Sequence, residues 1–335
     1  MRMILQALFI CKILSKCPVC DPGEFCSPPS SYCTKCPPGT ISYISGSSSC
    51  SRCNYGYYNE KYGATECKAC PAGTANGELG ANSSSACKIC PPGTISYKSA
   101  SASCSRCNYG YYNEKYGATV CKSCPAGTAN SELGATSSSA CKTCPPGTAS
   151  SQASASCSRC NYGYYNEEYG ASVCKPCPAG TANGELGANS SSACKTCPPG
   201  TASSQASAAC SRCNYGYYNE EYGASVCKPC PAGTANGELG ATSSSACKTC
   251  PPGTASSQAS AACSRCNYGY YSEGYGNAHC EPCPGGYYND VIAATSFSYC
   301  KRCPAGYVSK VASSYCSRCA DGYHPSADQT YCILD

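Results

Sequence analysis

Pairs of cysteines two residues apart recur eighteen times along this sequence, with loops of 12 to 16 residues between one pair and the next. That spacing decides what the chain can fold into. Two intervening residues hold the members of a pair too close for easy bonding to each other, so disulfides should run between pairs and close the loops. With 39 cysteines in 335 residues, the sequence belongs with scaffolds in which cross-links stand in for a hydrophobic core. No other core is in view. The 42% hydrophobic content is carried by cysteine, alanine and tyrosine, there is no tryptophan, and the phenylalanines are only Phe9, Phe25 and Phe297.

The preferred pairing joins the second cysteine of each pair to the first of the next. It gives Cys20 with Cys33, Cys36 with Cys50, Cys53 with Cys67, Cys70 with Cys87, Cys90 with Cys104 and Cys107 with Cys121. It continues as Cys124 with Cys141, Cys144 with Cys157, Cys160 with Cys174, Cys177 with Cys194, Cys197 with Cys210 and Cys213 with Cys227. Cys230 with Cys247, Cys250 with Cys263, Cys266 with Cys280, Cys283 with Cys300, Cys303 with Cys316 and Cys319 with Cys332 complete the series, and Cys17 and Cys26 remain for each other. Nineteen bonds then use 38 cysteines without remainder. A scheme pairing cysteines i with i+2 and i+1 with i+3 stays open, because spacing alone does not fix connectivity.

Such a chain needs an oxidising compartment, since a reducing cytosol would leave dozens of thiols and no fold. The N-terminus is compatible with export. Arg2 supplies a positive start and Met3 to Cys11 a short apolar run, interrupted by Lys12. A signal peptide over residues 1–15, cut after Ser15, would remove Cys11 and leave an even number of cysteines. No later stretch reaches the roughly 20 apolar residues of a membrane span. The ending Tyr331-Cys332-Ile333-Leu334-Asp335 is not a hydrophobic tail, so no lipid-anchor signal is expected there. A net charge of +5 is too weak to imply nucleic-acid binding.

The loops repeat. SCSRCNYGYYNE or a close variant recurs with its leading cysteine at 50, 104, 157, 210 and 263, and Cys316 continues a period that is 54 residues once and 53 thereafter. Each period holds a PPGT loop (Cys36 to Cys50), a tyrosine loop (Cys53 to Cys67) and a PAGT loop (Cys70 to Cys87). The expected organisation is an N-terminal cysteine-rich cap over 16–36, five three-loop repeats over 37–300, and a partial repeat with a C-terminal cap over 301–335. In Cys36-Pro37-Pro38-Gly39-Thr40 the proline and glycine prescribe a type II turn, and Cys70-Pro71-Ala72-Gly73-Thr74 places its glycine identically. Asn54-Tyr55-Gly56-Tyr57-Tyr58 alternates like a short strand, with Tyr55 and Tyr57 on one face covering the disulfides. The expected fold class is small disulfide-rich repeats, an elongated rod of turns and short β-hairpins with little helix.

Chemistry-bearing residues are sparse. Cys-x2-Cys-x13-Cys-x2-Cys approaches zinc-ribbon spacing, but the pairs run in an unbroken series without recurring histidine, so no metal is expected. The only histidines are His279 and His324, and no aspartate lies between Asp21 and Asp290, which leaves no catalytic triad in the repeats. The recurring Glu60, Glu114, Glu167 and Glu220 read as solvated loop charges. Neither catalysis nor a cofactor is expected. Lysine or arginine stands inside 16 of the 18 spacers, among them Arg52, Lys68, Lys88, Arg106, Lys122 and Lys142, which would place a row of positive charge where acidic glycans could bind. Two glycosylation sequons, Asn82-Ser83-Ser84 and Asn189-Ser190-Ser191, occupy equivalent points of PAGT loops.

The turns and closures of CPPGTISYKSASASCSRC resemble the ephrin-receptor-like repeats of the growth-factor-receptor cysteine-rich class. The order of loops, NYGYYNE followed by ATECKACPAGT and ACKICPPGT, resembles the surface immobilization antigens of ciliates, over about Cys33 to Cys332. That likeness implies an exported, lipid-anchored coat protein without catalysis, secreted or at the cell surface; its expected partners are other coat proteins or, from the row of positive charge, acidic glycans. The alternative is an extracellular adhesion or ligand-binding module like the cysteine-rich regions of receptors.

Overall fold

The computed structural model describes residues 17–335, so the signal peptide expected over 1–15, with Cys11, lies outside the described residues. The chain divides into two compact units. The first runs through Pro145 and adds Ala149–Ser158 and Tyr169–Val173; the second takes Pro146–Thr148, Arg159–Glu168 and Cys174–Asp335. The same small module is repeated within each.

A loop begins with the Cys-Pro-x-Gly-Thr turn. The Thr40 amide donates to the Pro37 carbonyl at 3.1 Å and its hydroxyl donates to the same oxygen at 2.7 Å. Gly39 takes φ +83°, as the third position of a type II turn requires. Two residues of strand follow, Thr40–Ile41, and pair antiparallel with Ser51–Arg52 after the loop has returned. The tyrosine loop does the same with Tyr57–Tyr58 and Lys68–Ala69, the PAGT loop with Thr74–Ala75 and Lys88–Ile89. Every sheet among the described residues is a two-stranded hairpin of this kind, and the helical content is single 3-10 turns such as Ser84–Ala86.

Nineteen disulfides close the loops. They join the second cysteine of each pair to the first of the next, from Cys20–Cys33 to Cys319–Cys332, and Cys17 to Cys26, with Cα atoms 5.5 to 5.8 Å apart.

Hydrogen bonds stitch each loop to the next within a unit. The turn glycine donates forward to a buried residue of the following loop: Gly39 to the Asn59 carbonyl, Gly56 to Asn76, Gly73 to Ser96 and Gly93 to Asn113, all within 2.7 to 2.8 Å. The buried asparagine answers backward, Asn59 Nδ2 donating to the Thr40 carbonyl at 3.0 Å and Asn76 Nδ2 to that of Tyr57 at 2.9 Å. Its Oδ1 meanwhile accepts from the amide two residues on, Lys61 or Glu78. In the PPGT loops of later periods a serine takes this place, Ser150 Oγ donating to the Thr128 carbonyl at 2.9 Å. Glycine is needed at the turn because a Cβ on Gly39 would collide with the Gly80 carbonyl oxygen.

The interior is therefore made of cystine, asparagine, serine and alanine. Cys36, Cys53, Cys70 and Cys90 have no exposed surface, and Asn76, Asn130 and Asn183 are 1% exposed. Tyrosine does not fill it. Tyr55 sits at the turn tip with 46% of its surface exposed, Tyr62 at 70%, and only Tyr57 and Tyr58 are half-buried. The expectation of an alternating strand with Tyr55 and Tyr57 on one face fails because Asn54 to Tyr57 is itself the turn, closed by the Tyr57 amide on the Asn54 carbonyl at 3.1 Å.

Candidate binding surfaces

Every cysteine from Cys17 onward is in a disulfide, so none is present as a thiolate that could attack or ligate. Among the described residues no group of three or more His, Cys, Asp or Glu side chains is placed to hold a metal ion. No helix among them is long and apolar enough to cross a membrane. What the folded module offers is surface: basic spacers, exposed tyrosines, acidic loop residues and shallow grooves.

The basic spacers are of three kinds. Arginines after the PPGT loops lie along a glycine of the neighbouring PAGT loop, and a Cβ on Gly80 or Gly134 would sit 3.5 or 3.6 Å from the Arg52 or Arg106 stem. The stem runs beside the glycine and the arginine stays exposed. Lysines after the tyrosine loops find acids. Lys175 and Lys228 bond Glu168 and Glu221 at 2.7 and 2.8 Å, which raises the lysine pKa values, and Lys122 stands 3.7 Å from Glu114. Lysines after the PAGT loops, such as Lys142 and Lys195, are exposed. In the second to fourth periods positive charge is thus offset at the spacer after the tyrosine loop, and in the last it is Lys301, after the PAGT-type loop, that pairs with an acid, Asp290, at 2.9 Å.

Glu60, Glu114, Glu167 and Glu220 are not simply solvated. Each carboxylate accepts from a backbone amide exactly one loop ahead, Ser84, Ser138, Ser191 and Ser244, at 2.8, 3.0, 2.6 and 2.6 Å. Those amides open the 3-10 turns, and their hydrogen bonds hold the carboxyl groups below the ordinary carboxylate range. Glu273 does the same for Phe297 at 2.6 Å in the divergent last period. The constant separation of 24 residues between each glutamate and its amide is the sequence signal for this clamp.

Asn82 and Asn189 are exposed and directly precede the Ser83 and Ser190 caps of 3-10 turns. Three recesses stand out in the surface. One of about 450 Å³ lies near the C-terminus between Val308, Lys310, Tyr315, Thr330 and Tyr331. Two equivalent grooves of about 320 and 350 Å³ lie in the first two periods, walled by Ile41, Tyr43 and Tyr57 in one and by Ile95, Tyr97 and Tyr111 in the other. A spacer arginine, Arg52 or Arg106, borders each.

Compared with known families, five stretches, 39–87, 93–141, 147–194, 200–247 and 253–300, match the model described as tyrosine-protein kinase ephrin type A/B receptor-like. A search of curated proteins finds no match.

Proposed function

The chain belongs to the ephrin type A/B receptor-like family of cysteine-rich repeats, and on that premise we propose that it is a structural coat protein of the outer cell surface, of the immobilization-antigen kind. Disulfide-rich repeats of this family fit an extracellular structural or binding module. The observation that carries the coat reading is repetition without distinction. Consecutive periods present the same glutamate clamp, the same arginine across a glycine and the same exposed tyrosines, as in Glu114, Arg106 and Tyr109 against Glu167, Arg159 and Tyr162. A surface whose main features recur from step to step suits lateral packing with like molecules better than recognition of one ligand at one place.

In this reading residues 1–15 are a signal peptide, 16–36 and 301–335 are caps around the five repeats of 37–300, and Asn82 and Asn189 carry N-linked glycans. Other coat proteins or acidic glycans meet the exposed basic spacers. The second reading, a ligand-binding or adhesion module, is favoured by the two tyrosine-walled grooves, which break the monotony of the repeats.

Tagged full-length protein should be stained on intact cells without permeabilisation, and peptide-N-glycosidase should lower its apparent mass. Staining only after permeabilisation would remove the coat proposal, and an unchanged mass would remove the glycan assignment alone.

A further inference from the structure

The two grooves are built by residues that the later periods lack. In the second, Ile95 and Tyr97 form one wall, Tyr111 another, and Asn108, Arg106 and Val120 complete the lining of a recess of about 350 Å³. One period on, Ala149 and Ser151 stand in the places of Ile95 and Tyr97, and the following periods have Ala202 with Ser204 and Ala255 with Ser257. The wall is absent there. Within the first groove Glu66 is part of the lining; in the second, Val120 replaces it and no lining residue is a carboxylate. Outside the lining, Lys98 Nζ stands 5.6 Å from the centroid of the Tyr97 ring. Arg106 itself is one of the residues that line the recess.

We propose that this second groove binds an acidic saccharide, with one sugar ring against Tyr97 and Tyr111 and its carboxylate or sulfate paired with Arg106. The groove is shallow and open, and its volume, aromatic wall and few polar groups suit one sugar ring laid against it rather than an enclosed ligand. Tyrosine faces supply flat apolar contact for the C–H face of a sugar, and guanidinium is the side chain best shaped for a planar or tetrahedral oxyanion. Peptide occupants fit poorly. The two-residue strands give no edge long enough to be extended by a bound strand. A bound helix would need an apolar groove several turns long, and the wall stops where Ala149 and Ser151 begin. The inference rests on the extracellular reading of the chain and gives it a ligand class.

The test uses the full oxidised chain and titration calorimetry with a heparin-derived tetrasaccharide and a neutral chitin tetrasaccharide. Ile95→Ala/Tyr97→Ser puts at these two positions the residues that the third period carries there, and an unchanged melting curve of the variant shows that loss of binding is not loss of structure. The heparin fragment should bind, the neutral one should not, and the double variant should weaken binding at least about tenfold; Arg106→Lys, which keeps a stem across Gly134, should weaken it by a similar factor. Unchanged affinity in the double variant overturns the groove. So does equal binding of the neutral sugar, or a loss seen only when Lys142, Lys195 and Lys248 are changed to Gln, which would assign binding to distributed charge. Surface staining separates the two readings: protein outside the cell that binds no acidic sugar overturns this inference alone, whereas protein confined inside overturns the extracellular reading with it.

Discussion

Alanine and glycine occupy equivalent corners of neighbouring loops, and they set opposite expectations for substitution. Ala153 is left-handed at φ +63° and donates to the Cys124 carbonyl at 2.9 Å, while Gly170 holds the same corner of the next loop and donates to Cys144 at 2.8 Å. A left-handed alanine costs about 1–2 kcal/mol that glycine does not. Ala153→Gly should therefore raise the melting temperature, a gain reduced by glycine's greater freedom when unfolded. Gly93→Ala should do the reverse, by about 1–3 kcal/mol, because it imposes φ +80° on a side chain whose Cβ meets the Gly134 carbonyl oxygen. The buried amide is the other sensitive residue. Asn130 donates to the Tyr111 and Glu132 carbonyls at 2.9 and 3.1 Å and accepts from the Glu132 amide at 2.9 Å. Asn130→Ala should cost about 1–3 kcal/mol in denaturant titration. Asn130→Asp should cost more, because it turns a donor into an acceptor facing two carbonyl oxygens. None of this was visible in the sequence, where an asparagine before Ser-Glu-Leu looks like loop filler; its burial comes from the adjoining loop.

At the scale of the loop, the disulfide and the glutamate clamp divide the work. A bond between cysteines 14 or 17 positions apart, such as Cys107–Cys121 or Cys124–Cys141, contributes about 3 kcal/mol in the chain-entropy account. Cys107→Ser/Cys121→Ser should raise amide exchange in that loop and its immediate neighbours while leaving the loops around Cys283 protected; uniform loss along the chain would contradict it. The clamp acts between loops and depends on pH. Its carboxyl groups titrate lower folded than unfolded, so its contribution is fully present above the ordinary carboxylate pKa and is lost as pH falls through the lowered folded value. Exchange at the Ser84, Ser138, Ser191 and Ser244 amides should accelerate over that acid range more than at Gly93, whose partner is a carbonyl. Replacing Glu60, Glu114, Glu167 and Glu220 by Gln should flatten the dependence. The class of fold was legible at this scale because cysteine spacing, Pro-x-Gly turns and the 53-residue period are local and countable. The clamp left only a recurring interval of 24 residues, which marks its ends without showing the contact, since only one of them is a side chain. The shortness of the strands was half legible: Asn-Tyr-Gly-Tyr carries both an alternation and a turn, and the turn won.

For the molecule as a whole, cross-links and backbone bonds replace the apolar interior that the composition could not supply. Reduction and alkylation should abolish the dichroism of the oxidised protein and expose it to protease throughout, and a reduced sample that kept its protection would contradict the account. The sequence could show that a core was missing; it could not show what filled the space, because backbone carbonyls bear no residue label. The forward donation from each turn glycine has a further effect. For its turn donor a loop needs from its successor only a carbonyl at the right place, and from Gly23 to Gly286 the successor provides one, whether asparagine or serine carries it. A whole inner period can then be removed without stranding a turn donor at the join, so a chain shortened by one period should keep the fold of the remaining ones, which amide exchange would show.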